Sequence, residues 1–203
     1  PGMFSSQNEQ DTRFHALSAH VPVLEPSDSS ECLEFTKLAF SLSEIFDTPV
    51  ILRLTTRIAH QRSLVETGER AEYVKEYKKD ISKYVMMPAM AKGRHVVVEE
   101  RMAALAEAAQ GCGQYASLIP NTVTYNDGDN GRLGIVTSGV CYQYVKEVFP
   151  DASVLKLGLV HPLPEKTIRE FAGHVDKILV VEELEPFIEN YIRQLGIKAE
   201  GKR

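Results

Sequence analysis

Leu133-Gly-Ile-Val-Thr-Ser-Gly-Val-Cys-Tyr-Gln-Tyr-Val-Lys-Glu-Val148 reads as a short apolar strand, a small polar turn at Thr137, Ser138 and Gly139, and then an amphipathic helix. Val140, Tyr144 and Val148 fall on one face of that helix, and Pro150 follows its end. Two more strand–helix pairs come after it. Strand 153–158 leads through His161-Pro-Leu-Pro164 to a short helix over Glu165 to Ala172. Strand 177–182 leads to a helix from about Pro186 to Leu195, with Phe187, Tyr191 and Leu195 inward and Gly196 just past its end. Three β-α units with short connections predict right-handed crossovers and a parallel sheet, so the class is α/β.

Upstream, Val21-Pro-Val-Leu24 reads as a strand. Asp28 and Glu31 are spaced as a capping box, and Phe35, Ala39, Leu42 and Phe46 recur at helical spacing. Thr48-Pro49 ends that helix. Val50-Ile-Leu-Arg-Leu54 follows as a nearly continuous apolar strand, the pattern of a strand buried on both faces. Residues 21–56 are therefore a further β-α-β unit. Between the two halves, Glu66 to Tyr84 is rich in Glu and Lys and reads as an exposed helix or helical linker. Met86-Met87-Pro88-Ala89-Met90 reads as connector packing, Val96 to Gln110 as a helix with Met102, Leu105, Ala106 and Ala109 on one side, and 120–131 as turns.

Bulk properties narrow the function. The 203 residues carry a net charge of -5 with no Lys/Arg-rich face, which argues against a nucleic-acid partner. No apolar run approaches the roughly 20 residues of a membrane span. Three scattered cysteines, Cys32, Cys112 and Cys141, fit reduced, cytoplasmic thiols better than a disulfide frame. The chain opens at Pro1 and stops at Arg203 just past a helix, as an internal piece of a longer polypeptide would.

Several constellations bear on possible chemistry. Thr137-Ser-Gly139 is flanked by Val136 and Val140, so it is no nucleophile elbow, and no glycine-rich phosphate loop is present. Asp127 and Asp129 resemble the start of a calcium loop, but Ser138 stands where its Glu belongs. The six histidines show no metal-ligand spacing. Arg57, His60 and Arg62 at a strand end suit either an anion or solvent. Glu182, Glu183 and Glu185 suit helix capping and salt bridging better than acid–base work. The polar loop Pro1–Arg13 ends in an arginine whose planar fork suits a carboxylate or phosphate.

Pro1-Gly-Met-Phe-Ser-Ser-Gln-Asn-Glu-Gln-Asp-Thr-Arg13, Pro49-Val-Ile-Leu-Arg-Leu-Thr-Thr-Arg57, Gly134 to Glu147, Leu157-Gly-Leu-Val-His-Pro-Leu-Pro-Glu165 and Val180-Val-Glu-Glu-Leu-Glu-Pro-Phe187 together resemble the alpha subunits of indolepyruvate:ferredoxin oxidoreductases. These are thiamine-diphosphate-dependent 2-oxoacid:ferredoxin oxidoreductases. The resemblance implies oxidative decarboxylation of an arylpyruvate to an arylacetyl-CoA, with electrons passing through iron–sulfur clusters to ferredoxin. It assigns residues 1–62 to the C-terminal part of a pyrimidine-binding domain, 63–131 to a helical connector and 132–203 to a transketolase C-terminal-like domain.

It also implies that Arg13 binds the substrate carboxylate, with Asn8, Glu9 and Gln10 lining the pocket. A beta subunit, a second alpha subunit, ferredoxin and coenzyme A would be the partners. Thiamine diphosphate, Mg2+ and [4Fe-4S] clusters would be held by parts outside this stretch, so the chain alone is expected to be inactive and to bind the cofactor weakly. The competing readings are a noncatalytic α/β module that braces subunits, and a piece of another 2-oxoacid:ferredoxin oxidoreductase or transketolase-like enzyme. If the resemblance holds, Thr137-Ser-Gly139 opens a structural unit rather than a substrate crevice.

Overall fold

The computed structural model describes residues 10–70, 72, 74–126, 128 and 132–202. Helix α1 (Thr12–Ala19) is started by Asp11, whose carboxylate accepts from the Arg13 N–H, and stopped by His20 in the left-handed region at φ 55°. Strand β1 (Val23–Leu24) leads into helix α2 (Ser29–Phe46), where Asp28 accepts from the Glu31 N–H at 2.9 Å. Glu31 reaches back to the Ser27 N–H rather than to Asp28, one residue beyond the usual capping box. Phe35, Leu42 and Phe46 are the buried stripe of α2, as their spacing predicts. Strand β2 (Ile51–Leu52) pairs parallel with β1. Its residues are half-buried, so this strand is not covered on both faces as its apolar run suggests.

A five-residue helix, α3 (Thr56–His60), follows β2. Of the exposed helix or helical linker expected over Glu66–Tyr84, only α4 (Ile81–Tyr84) is helical among the described residues. Leu64, Val74 and Tyr77 are all exposed, so no apolar stripe is available to bury. Propensity without packing seldom holds a helix, and the Glu72/Glu76 and Lys75/Lys79 spacings would repel. The segment is tied to the end of α2 instead, through Lys75 to Glu44 and Lys83 to Asp47. Helix α5 (Pro88–Ala109) begins well before Val96, with Pro88 in its first turn. Met86 and Met87 are exposed rather than packed, whereas Leu105, Ala108 and Ala109 are buried against α2 residues.

The turn-rich stretch contains an unforeseen strand, β3 (Thr122–Thr124). The calcium-loop residues Asp127 and Asp129 lie outside the described residues. The regular half then runs β4 (Leu133–Ser138), α6 (Cys141–Val148), β5 (Ser153–Leu157), β6 (Leu159–His161), α7 (Glu165–His174), β7 (Lys177–Val181) and α8 (Phe187–Gln194). Strands β5, β4 and β7 are parallel neighbours, with β3 antiparallel on the β5 edge. The predicted α/β class and parallel sheet are therefore present.

Two helix faces differ from expectation. In α6 the buried residues are Cys141 and Val145, while Tyr144 and Val148 are exposed. In α8 Phe187, Ile188 and Ile192 are buried, and Tyr191 and Leu195 sit at the margin of the core. Gly196 follows α8 with φ 78° as predicted.

The strand predicted over 153–158 is β5, one residue shorter. Gly158 ends it, and β6 leaves the four-stranded sheet to pair antiparallel with β1, giving a second sheet of order β2-β1-β6. The corner is tight. A Cβ on Gly158 would stand 2.3 Å from the Pro120 carbonyl oxygen. Asn121 Oδ1 accepts from both the Gly158 and Leu159 N–H groups. One core cluster joins residues of both sheets, including Val23, Val136, Leu155, Leu157, Phe171 and Ile188.

Candidate functional site

Four strand ends converge on one buried polar cluster. β1 delivers Glu25, β2 delivers Arg53, β4 ends in Ser138 and β7 is followed by Glu182; each is buried. The start of α1 adds Asp11 and Arg13. Arg13 Nη1 donates to Glu182 Oε2 at 2.6 Å, and its Nε and Nη2 donate to the Asp11 carboxylate at 2.9 and 2.6 Å. Nη2 also donates to the carbonyls of Glu183 and Glu185, and the guanidinium lies 5.2 Å from the Phe187 ring centre. Arg53 Nη1 donates to Glu25 Oε1 at 2.7 Å, and Ser138 Oγ donates to Glu25 Oε2 at 2.6 Å.

Glu182 is a helix cap as well as an ion-pair partner, accepting from the Ile188 and Glu189 N–H groups at 3.0 Å each. That matches the capping and salt-bridging reading of Glu182-Glu183-Leu-Glu185. Burial pushes the Asp11 carboxyl up, but its hydrogen bond and charge contact with Arg13, helped by Arg53, outweigh this and hold it below the usual range. Burial works against the Arg13 charge, yet Asp11, Glu25 and Glu182 hold its pKa above the ordinary arginine value.

Arg13 is 0% exposed, and its fork grips the chain's own carboxylates. Direct binding of a substrate carboxylate would require Asp11 or Glu182 to let go. Gln10 is exposed, and Asn8 and Glu9 lie outside the described residues. The sequence reading missed Asp11, Glu25 and Arg53. Arg53 did leave a signal: a charged residue inside an apolar strand is seldom buried unpaired, so a carboxylate partner was implied. One donor in the cluster, Arg53 Nη2, and the nearby Thr55 Oγ1 are buried without partners among the described residues.

The Thr137 turn is a joint. Thr137 Oγ1 donates to the Val181 carbonyl, Ser138 is spent on Glu25, and Gly139 turns with φ 54°. Beside it lies an open cleft of about 580 Å³ between α3 and α6, where the Arg57 guanidinium sits 5.9 Å from the Tyr144 ring centre and His60 lines the wall. Among the described residues no group of three or more His, Cys, Asp or Glu side chains could hold a metal ion. None of their helices is long and apolar enough to cross a membrane.

Comparison with known proteins places this geometry. No family model matches the chain. The chain is 40% identical over 198 residues to the indolepyruvate oxidoreductase subunit IorA of Methanothermobacter thermautotrophicus, covering 95% of this chain and 31% of that one. It is 39% identical over 206 residues to the IorA of Thermococcus kodakarensis, covering 95% and 30%. The IorA of Pyrococcus horikoshii is 36% identical over 223 residues and matches 100% of this chain and 33% of its own. The chain thus spans about a third of the length of these curated relatives. A solved structure of a 2-oxoglutarate:ferredoxin oxidoreductase from Magnetococcus marinus shares the fold, with a TM-score of 0.61 at 17% identity over 96% of this chain and 41% of that one.

Proposed function

We propose, for a chain that belongs over nearly its whole length to the indolepyruvate oxidoreductase IorA family, that it serves as part of an enzyme converting arylpyruvates, indolepyruvate among them, to arylacetyl-CoA. The observation that supports this reading is the 35–40% identity to IorA subunits along about 95% of the chain. In the reaction the 2-oxoacid loses its carboxylate as CO2 and its acyl carbon bonds the sulfur of coenzyme A. The thiol proton is released, and two electrons pass to ferredoxin. A beta subunit and a second copy of the alpha subunit complete the enzyme.

Thiamine diphosphate, Mg2+ and [4Fe-4S] clusters belong to the parent enzyme in this reading, and the cysteines of this chain do not fit a cluster. A [4Fe-4S] cluster takes four thiolates. Of three cysteines, Cys141 is buried and its thiol is pushed up to about 12, with burial as the main cause. No step of the chemistry is therefore assigned to this chain. Residues 1–62 are assigned to the end of the pyrimidine-binding domain, 63–131 to the connector and 132–203 to the transketolase C-terminal-like domain.

Within this assignment Asn8, Glu9 and Gln10 line the substrate pocket, and Arg13 is a positioning residue that fixes Asp11 at the start of α1. The test uses the complete enzyme with its partner subunit. Indolepyruvate- and coenzyme A-dependent reduction of ferredoxin is expected, with 2-oxoglutarate a poor substrate. Preference for 2-oxoglutarate, or an assembly that forms without any oxoacid-dependent reduction, would overturn the reading. Arg13→Lys then separates contact from positioning. Loss of positioning lowers kcat and thermal stability together, whereas loss of a carboxylate contact raises KM at unchanged stability.

A further inference from the structure

Two polar atoms at the edge of the buried cluster are left over. Arg53 Nη2 and Thr55 Oγ1 are enclosed and have no hydrogen-bond partner among the described residues. Arg53 is 7% exposed and Thr55 5%, with Leu54 between them at 45%. That is the alternation of an extended chain, and it sets both polar side chains on one side. Buried donors are normally satisfied, so two unpaired donors two residues apart point to an acceptor brought by a ligand. The cleft between α3 and α6 begins at the very next residue. Thr56, Arg57, His60 and Gln61 line one wall, and Val140, Gln143 and Tyr144 the other. Ser138, which shares Glu25 with Arg53, stands two residues before Val140. Cluster and cleft therefore meet at the C-terminal ends of β2 and β4, the end at which α/β sheets bind ligands.

We propose that this cleft binds the oxyanion of a small ligand, a phosphate or a carboxylate, between the Arg57 guanidinium and the Thr55 hydroxyl. Arg57 is exposed, and its one described contact is the Tyr144 ring, whose centre lies 5.9 Å from the guanidinium. The ring holds the fork over the cleft and leaves its N–H groups unspent, in the planar arrangement that matches an oxyanion. Thr55 reaches the anion by one staggered step of its side chain, exchanging an enclosed, unpaired position for a bonded one. Arg53 stands behind it, with Nη1 on Glu25 at 2.7 Å and Nη2 unspent. The acids nearby are already engaged. Glu25 accepts from Arg53 and Ser138, and Asp28 accepts from Gln143 Nε2 at 3.0 Å. What remains at the cleft is a set of donors, which selects an anion over a cation. Of the basic residues at this strand end, Arg57 and His60 line the cleft and Arg62 does not. The site uses no contact of Arg13 and does not depend on the proposed reaction.

The probes are inorganic phosphate and acetate, titrated calorimetrically into the 203-residue chain at pH 7 and constant ionic strength. Saturable binding of at least one is expected. Phosphate alone marks a phosphorylated ligand, acetate alone a carboxylate, and both a site that reads the oxyanion itself. Arg57→Gln should weaken the bound anion at least about tenfold with the melting curve unchanged, as loss of a charge-assisted contact requires. Thr55→Val should weaken it at least about threefold while thermal stability holds or rises, because the hydroxyl it removes has no partner in the free chain. A threonine that served only the fold would show the reverse. Arg132→Gln, an exposed arginine at the opposite end of β4, should bind as the parent does. Either cleft variant decides the matter should the other fail to fold. Failure of both anions to saturate overturns the proposal, as does parent-like binding in a folded Arg57→Gln or Thr55→Val chain. An equal loss in Arg132→Gln would mean diffuse surface charge and would overturn it too.

Discussion

Replacing Arg13 by Met tests whether the buried cluster holds the two sheets together. Methionine keeps much of the apolar bulk against Phe187 but removes every guanidinium donor to Asp11, Glu182 and the carbonyls of Glu183 and Glu185, leaving Asp11 the backbone N–H of residue 13 and Glu182 the N–H groups of Ile188 and Glu189. Both carboxylates would then sit almost fully enclosed, with side-chain exposures of 3% for Asp11 and 0% for Glu182. Removing one partner of a buried ion pair costs about 3–5 kcal/mol. At about 2–4 °C per kcal/mol for a chain of this size, Tm should fall by roughly 6–20 °C. Arg132→Ala is the control, since the Arg132–Asp176 pair is 80% and 60% exposed and such pairs contribute about 0–1 kcal/mol. The assay is thermal denaturation followed by circular dichroism. An Arg13→Met variant that melts within about 2 °C of the parent would refute the argument, because a cluster so cheaply broken could not be positioning anything.

Further outcomes follow from single residues. Because the folded-state pKa of His161 lies near 4 against an ordinary 6.5, the unfolded chain binds more protons between those values. Stability should therefore fall by up to about 3 kcal/mol as pH drops from about 6.5 to 4, and His161→Phe should flatten that slope in urea titrations; an unchanged slope would exclude His161 as its source. Asp11 works at lower pH: its depressed pKa gives stability that is complete above the usual carboxylate range and lost as pH falls through the folded value, so Asp11→Asn should lose the acid-dependent part of its denaturation curve. With its thiol up near 12, Cys141 should resist Ellman's reagent in the native chain and react only on denaturation; three fast thiols would contradict its burial. Gly158→Ala should cost at least about 1–3 kcal/mol, measured by the same melts, because its Cβ meets the Pro120 carbonyl and Phe35 rather than the end of a flexible side chain.

What could be read from the chain divides along physical lines. Local signals survived: the Asp28 cap, the Phe35/Leu42/Phe46 stripe, the strand at Leu133 and the left-handed Gly196 are each decided within a few residues. The errors arise where a competing long-range contact decides. The face of α6 turns on Val145 packing with Ile135, Ala152 and Val154, which periodicity over two turns does not resolve. The Glu/Lys-rich segment had helix formers but nothing to pack on. Asp11, Glu25, Arg53 and Glu182 are far apart in sequence, and only the folded sheets show that they neutralise one another. Arg13 was legible as a carboxylate-binding fork; that its carboxylates are internal was not.

The step of β6 across to β1 also has a temporal meaning. Val23 finds its partner His161 only after most of the chain has been made, and before then β1 has just the two-residue pairing with β2. So short a ladder is marginal without a third strand. The closing of that loop is a slow, high-contact-order event. During synthesis on the ribosome the first half should stay unsettled, exposing Val23 and Leu24 to chaperones, until β6 emerges and both sheets consolidate in one step.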